Sequence, residues 1–167
     1  DVTRAAEAKV AALFETEAGV FFVATGTAAN SLALSATTPP WGAVFCHGGA
    51  HVFDTELAAP EFYSGGAKLI TLPGDNGKFK PETLETAIAD AQVGNVHHVQ
   101  PASVSITQAT ETGSIYSLDE IAAIAKVCKA HGLKLHMDGA RFSNAVAALG
   151  YSAAEISWKA GVDILSF

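Results

Sequence analysis

The sequence predicts an α/β fold, a mostly parallel, doubly wound sheet with helices on both faces. Two observations carry this. Short apolar runs of strand length alternate with stretches of helical periodicity along the chain. Hydrophobic residues make up 49% of the sequence and charged residues only 16%, as a sheet buried on both faces requires. The 167 residues are enough for one domain with a sizeable core, and the expectation is a single domain over 1–167.

The elements follow in order. Thr3 to Glu17 carries a helical stripe at Ala6, Val10, Leu13 and Phe14, with Gly19 as the expected C-terminal stop. Val20-Phe21-Phe22-Val23 reads as a short strand, and Ala28 to Ser35 as a helix. Pro39-Pro40 breaks the chain before the strand Ala43–Cys46. Ala67–Leu72 is a strand, and the turn chemistry of Pro73 to Lys78 leads to a helix with Pro81 at its first position. Asn95–Gln100 and Val104–Thr107 read as two further strands. Ser117-Leu118-Asp119-Glu120 is a capping box for a helix that stops at Gly132. Leu133–Met137 is the next strand, broken at Gly139 before the helical run Phe142–Leu149, which stops at Gly150. Ser152 to Glu155 repeats the capping signal for a helix ending at Gly161, and a last strand begins near Asp163.

The net charge of −7 argues against nucleic acid and anionic membrane as partners. An anionic ligand would have to be held by local dipoles and by Arg141, one of only two arginines. Two cysteines, Cys46 and Cys128, are too few for a disulfide framework and point to a reducing, cytoplasmic setting. No apolar run is long enough to span a bilayer. Asp1 stands almost directly before a helix and Phe167 within a strand-like run, so the chain reads as an internal fragment, truncated at both ends.

Three junctions carry candidate chemistry. In Leu135-His136-Met137-Asp138-Gly139-Ala140-Arg141, an aspartate and an arginine lie at the carboxyl end of a strand, where open α/β sheets bind ligands. Alternation puts His136 and Asp138 on one face. Thr25-Gly26-Thr27 opens a helix, where free backbone N–H groups bind phosphate and Gly26 permits close approach; simple N-capping by Thr25 or Thr27 is the plainer alternative. A dinucleotide site fits poorly, because there is no G-x-G-x-x-G and the strand Ala43–Cys46 ends without an acidic residue. His51 follows another strand, with Glu56 five residues on. His47 and His51 stand at i, i+4 near Cys46, but Gly48-Gly49 argue against a shared helical face, and no metal site is expected.

Together, in this order and spacing, the three junctions resemble the pyridoxal-phosphate-dependent threonine aldolases, of the aspartate-aminotransferase-like fold (fold type I), over essentially the whole chain. The resemblance implies the large domain of such an enzyme, with pyridoxal 5′-phosphate as cofactor. It implies a lyase that cleaves a β-hydroxy amino acid, such as threonine, to glycine and an aldehyde, and a homodimer or homotetramer. Residue by residue, it implies Gly26 and Thr27 on the phosphate and His51 stacked on the pyridine ring with Glu56 in support. It places Asp138 at the ring nitrogen, Ala140 on the opposite ring face, and Arg141 on the substrate carboxylate or the ring's O3′ oxygen. The lysine that carries the cofactor would lie a few residues past the last strand, since no lysine of this chain falls at that junction. Many of these aldolases have a histidine in the loop after Thr107; here Thr110 takes that position, so that residue's role does not carry over. Other readings are another enzyme on the scaffold, such as a β-eliminating lyase or an aminotransferase, and a fragment that binds no cofactor.

Overall fold

The computed structural model describes residues 1–167. Its elements are α1 (Val2–Leu13), α2 (Gly26–Thr37), β1 (Gly42–His47), α3 (His51–Asp54), α4 (Ala59–Tyr63), β2 (Lys68–Leu72) and α5 (Pro81–Asp90). They are followed by β3 (Gln100–Thr107), α6 (Leu118–Ala130), β4 (Lys134–Asp138), α7 (Phe142–Leu149), a 3₁₀ turn at Trp158–Ala160, and β5 (Ile164–Ser166). The five strands form one sheet in the order β2-β1-β3-β4-β5, and every pairing is parallel. The chain runs from β1 out to β2, then returns to the far side of β1 to lay down β3. The gap between β1 and β3 is therefore the switch point at whose carboxyl end such sheets bind ligands. No helix is long and apolar enough to cross a membrane.

Strand alternation divides the sheet into two unlike faces. Phe45, Val104, Ile106, Leu135 and Met137 point to one side and join Leu84 and Ile88 of α5 and Ile121 and Ile124 of α6 in a single apolar cluster. On the other side, Val44, Cys46 and Leu69 pack with Leu34 of α2 and Val52 of α3. Further along that second face, β3 to β5 present Ser105, Thr107, His136, Asp138 and Ser166, all buried. Helix α2 packs on β3, β4 and β5 above this polar strip.

Capping chemistry sets several boundaries. Ser117 Oγ accepts from the Glu120 N–H at 3.2 Å and Glu120 Oε2 accepts from the Ser117 N–H at 2.7 Å, the expected capping box. Gly132 and Gly150 close α6 and α7 with φ of +70° and +72°, a conformation in which side chains other than glycine are strained.

Four expectations are corrected. Helix α1 stops at Leu13, well before Gly19: Phe14 turns inward to the core, and Glu15 takes the positive φ of 55° that ends the helix. Val20–Val23 forms no strand; it finds no ladder partner, and Phe21 and Phe22 are exposed. Asn95–Val99 is irregular, and a single strand begins at Gln100, where β1 first offers a partner at Gly42. The Ser152–Glu155 hydrogen bonds form, but they open a run of tight turns. The backbone bonds that follow span three, four and five residues (Ser157 to Ala154, Ile156 to Ser152, Lys159 to Ala154), so no regular helix propagates and only a 3₁₀ turn follows.

At Gly139 the chain leaves β4 against β5, and an added Cβ would lie 2.6 Å from the Ser166 carbonyl oxygen and 2.8 Å from Leu165 Cδ1. Gly139→Ala is expected to destabilise the fold by about 1–3 kcal/mol, the usual cost of overpacking. Chemical denaturation checks it, and a midpoint equal to the parent's would show that β5 gives way freely.

Candidate active site

The carboxyl ends of β4 and β5 and the start of α2 line one cleft of about 260 Å³, with Thr25, Gly26, Ala29, Asp138, Ala140 and Ser166 among its walls. Thr25 is the N-cap of α2: its Oγ1 accepts from the Ala28 N–H at 3.1 Å. The hydroxyl of Thr27 is therefore not used in capping. The N–H groups of Gly26 and Thr27 belong to the first turn, which has no intrahelical acceptors. A Cβ added at Gly26 would meet nothing within 4 Å, so the turn opens on space and not on packed atoms.

Asp138 ends β4 on the α2 face. Its Oδ1 accepts the Ala140 N–H at 3.0 Å, and its Oδ2 accepts from Asn30 Nδ2 at 3.1 Å. The same Asn30 nitrogen donates to Glu56 Oε1 at 2.8 Å. Glu56 Oε1 lies 2.8 Å from His51 Nδ1, and the Glu56 side chain is fully buried while the His51 ring is 45% exposed. That pairing assigns the proton to Nδ1 and leaves Nε2 as the ring's free acceptor. Sequence reasoning therefore named His51, Glu56 and Asp138, which the fold brings together, and missed the asparagine that joins them. The signal was a lone amide on the buried face of α2, four residues after Gly26.

Arg141 donates from Nε to the Ala109 carbonyl at 2.9 Å. Its Nη2 lies 3.2 Å from Glu111 Oε1, but this buried nitrogen has no aligned hydrogen-bond acceptor. Glu111, also unforeseen, accepts the His51 backbone N–H at 3.1 Å. The loop that carries it is closed by Gln108, whose amide bonds both backbone groups of Tyr116. Thr110 is wholly buried, and its hydroxyl is taken up by Asn76 O, Thr112 and Ser114, so it holds the loop together.

The His47–His51 pair does not converge: His47 Nδ1 accepts from the Gly49 N–H and Nε2 faces the Gly74 carbonyl. Burial, with Glu61 adding to it, pushes the Cys46 thiol up to about 12, so it stays protonated and is a poor metal ligand. The ligand atoms of His51, Glu56 and Asp138 lie within 4.8 Å of one another, as a metal site would require. However, the Asn30 N–H groups already lie between the two carboxylates. A larger groove, of about 540 Å³, lies at the other end of the strands beside Lys126, Lys129, Lys134 and Asp163 and holds no comparable constellation.

This fold belongs to a known class. The family model described as beta-eliminating lyase matches residues 1–167, and the chain belongs to that family. More particularly, it is 51% identical over 155 residues to a low-specificity L-threonine aldolase of Pseudomonas sp. (strain NCIMB 10558), covering 93% of this chain and 44% of that protein. A solved threonine aldolase of Leishmania major superposes with a TM-score of 0.81 at 33% identity, over 88% of this chain and 43% of that one. An archaeal alanine:glyoxylate aminotransferase shares the fold, with a TM-score of 0.63 at 18% identity over 81% of this chain and 33% of that one. The chain thus spans less than half the length of these relatives.

Beneath the site, His136 is wholly buried, with Nδ1 at 2.9 Å from Ser105 Oγ and Nε2 at 3.0 Å from Ser166 Oγ. Burial holds its pKa down at about 4, against the opposing pull of Asp138. The ordinary value is about 6.5. Between those values the unfolded chain takes up a proton that the fold refuses. Stability is therefore full above about pH 6.5 and falls as the pH drops toward 4, by roughly 3 kcal/mol in all. Denaturation midpoints compared across that window for the parent and His136→Gln check this; an equal slope in both would remove His136 as the cause.

Proposed function

We propose that residues 1–167 form the cofactor-binding part of the large domain of a pyridoxal-phosphate-dependent aldehyde-lyase. The proposed reaction cleaves threonine-like β-hydroxy amino acids to glycine and an aldehyde. The observation that carries the reading is that Asp138 lines the cleft at the open first turn of α2 and is joined through Asn30 to Glu56 and His51, with Glu111 linking His51 to Arg141. The donor set suits that cofactor. The free N–H groups of Gly26 and Thr27 suit a phosphate. Asp138 suits a protonated ring nitrogen, and the unaligned Nη2 of Arg141 suits a carboxylate or the ring's O3′ oxygen. When bound, pyridoxal 5′-phosphate supplies the sink for the electron pair left at Cα.

The residues of the chain then divide the work. Arg141 orients the amino acid by its carboxylate with a planar fork. His51, held by Glu56 with its proton on Nδ1, presents Nε2 to take the β-hydroxyl proton, directly or through one water. Ala140, exposed at the cleft wall, would leave room there for a flat ring. Asp138 would hold a proton at the ring nitrogen, which would make that sink effective. Family membership also supports a second reading, β-elimination, which would yield a keto acid. The two free, buried cysteines support a cytoplasmic setting, and exposed Leu57, Phe62 and Tyr63 support a homo-oligomer.

Threonine supplied to the full-length protein is expected to give equimolar glycine and acetaldehyde; a keto acid in their place would transfer the assignment to β-elimination. Asp138→Asn, at matched cofactor occupancy, should slow single-turnover cleavage by roughly 10²–10³, equivalent to about 3–4 kcal/mol of transition-state stabilisation. An unchanged rate would reduce Asp138 to a helix-start carboxylate. His51→Phe keeps a ring to stack and should retain the cofactor while losing roughly 10²–10⁴ in turnover, the range of general acid–base help. Full activity in that variant would leave stacking as the only role of His51.

A further inference from the structure

We infer that Asn30 is the positioning residue of this site, an amide clamp that fixes Asp138 and the Glu56–His51 pair as one unit. Three observations support this. Asn30 is only 2% exposed, on the inner face of α2, so its amide was placed there at the expense of apolar packing. Its single nitrogen has two hydrogens and two carboxylate partners, Glu56 Oε1 at 2.8 Å and Asp138 Oδ2 at 3.1 Å. Both partners are 3% exposed and come from unconnected parts of the chain, the turn between α3 and α4 and the end of β4.

The physical need for the clamp follows from those positions. Two buried carboxylates this close repel, and without a donor between them they would share one proton or move apart. Either outcome would disturb the site: Glu56 would lose its hold on His51 Nδ1, or Asp138 would turn from the cleft. An N–H to each removes the need for the shared proton and sets the separation of the two groups. The amide is rigid and sits on the helix whose first turn carries Gly26 and Thr27. The clamp therefore also ties both acids to the proposed phosphate end of the site. Its part in cofactor binding rests on the reading proposed above; its part in holding two acids together does not.

Asn30→Leu keeps the branched shape, at a larger volume, and removes both N–H groups. In the full-length protein without cofactor, it should lower the melting temperature by several degrees with Glu56 present. The loss should be much smaller in the Glu56→Gln background, where one of the opposed charges is gone. A residue that merely fills space would give the same loss in both backgrounds, and that result would overturn the inference. If the leucine variant does not fold, Asn30→Ala carries the same cycle. With the cofactor, titration by visible absorption should show Asn30→Leu binding pyridoxal phosphate about tenfold more weakly than the parent, and unchanged affinity would overturn the claim that the clamp positions Asp138. If the parent itself binds no pyridoxal phosphate, the proposed function falls, while the cofactor-free cycle still decides the role of Asn30.

Discussion

The site depends on keeping two carboxylates buried side by side without a counter-ion between them. Removing a charged group from water costs several kcal/mol unless fixed donors replace the lost hydration. Here the replacements are few and specific. Asp138 receives the Ala140 N–H and one hydrogen of Asn30, and Glu56 receives the other hydrogen and the His51 ring. Each donor depends on a particular piece of backbone. The Ala140 N–H points back at Asp138 because Gly139 lets the chain turn tightly against β5. Asn30 faces inward because it lies about one turn below Gly26 on α2, a rise of roughly 6 Å at 1.5 Å per residue. One helix thus supplies both an open first turn and an acid-holding amide, at a separation fixed by helical geometry.

The sheet can support this arrangement because its two faces do different jobs. On the α5–α6 side, a continuous cluster of 23 buried residues supplies the apolar burial that holds β1 to β4 together. The opposite face of β3 to β5 is thereby released from that duty, and it carries hydroxyls, an imidazole and a carboxylate. Those groups must satisfy one another. His136 does so by bonding a serine on each neighbouring strand, Ser105 and Ser166, which stitches β3, β4 and β5 beneath Asp138. A period of two along a strand is enough to build a core and a polar floor from the same residues.

That period is also why much of the fold was legible in the sequence. Strands β1, β2 and β4 announced themselves by apolar runs, α6 by its capping box, and α7 by Gly150. Signals that needed a distant partner failed. Val20–Val23 looks like a strand, but a strand exists only where another offers a ladder. The Ser152 capping box formed its two bonds, yet the backbone after it bonds at mixed spans and closes as tight turns packed on α6. The site shows the same division. Turn residues such as Gly26, Asp138 and Arg141 stand out because their types are unusual where they occur. Asn30 and Glu111 do not, because an amide inside a helix and an acid inside a loop gain meaning only from what the fold sets beside them.

The histidines show how far geometry narrows the proton chemistry of the proposed reaction. The chain has six. His97 and His98 are exposed in the loop before β3, and His131 caps the far end of α6, all at the opposite end of the strands from the cleft. His47 has both ring nitrogens engaged by backbone, and His136 has both engaged by serines and is held neutral by burial. Thr110 is turned inward to lock its loop, so its hydroxyl is not free for the site. His51 remains, with Nδ1 committed to Glu56 and Nε2 uncommitted. The loop after β3 contributes charge instead, through Glu111 between the His51 backbone and Arg141. Among the histidines, one ring therefore faces the site with a free nitrogen, paired through Nδ1 with a buried glutamate that is itself held in place by Asn30.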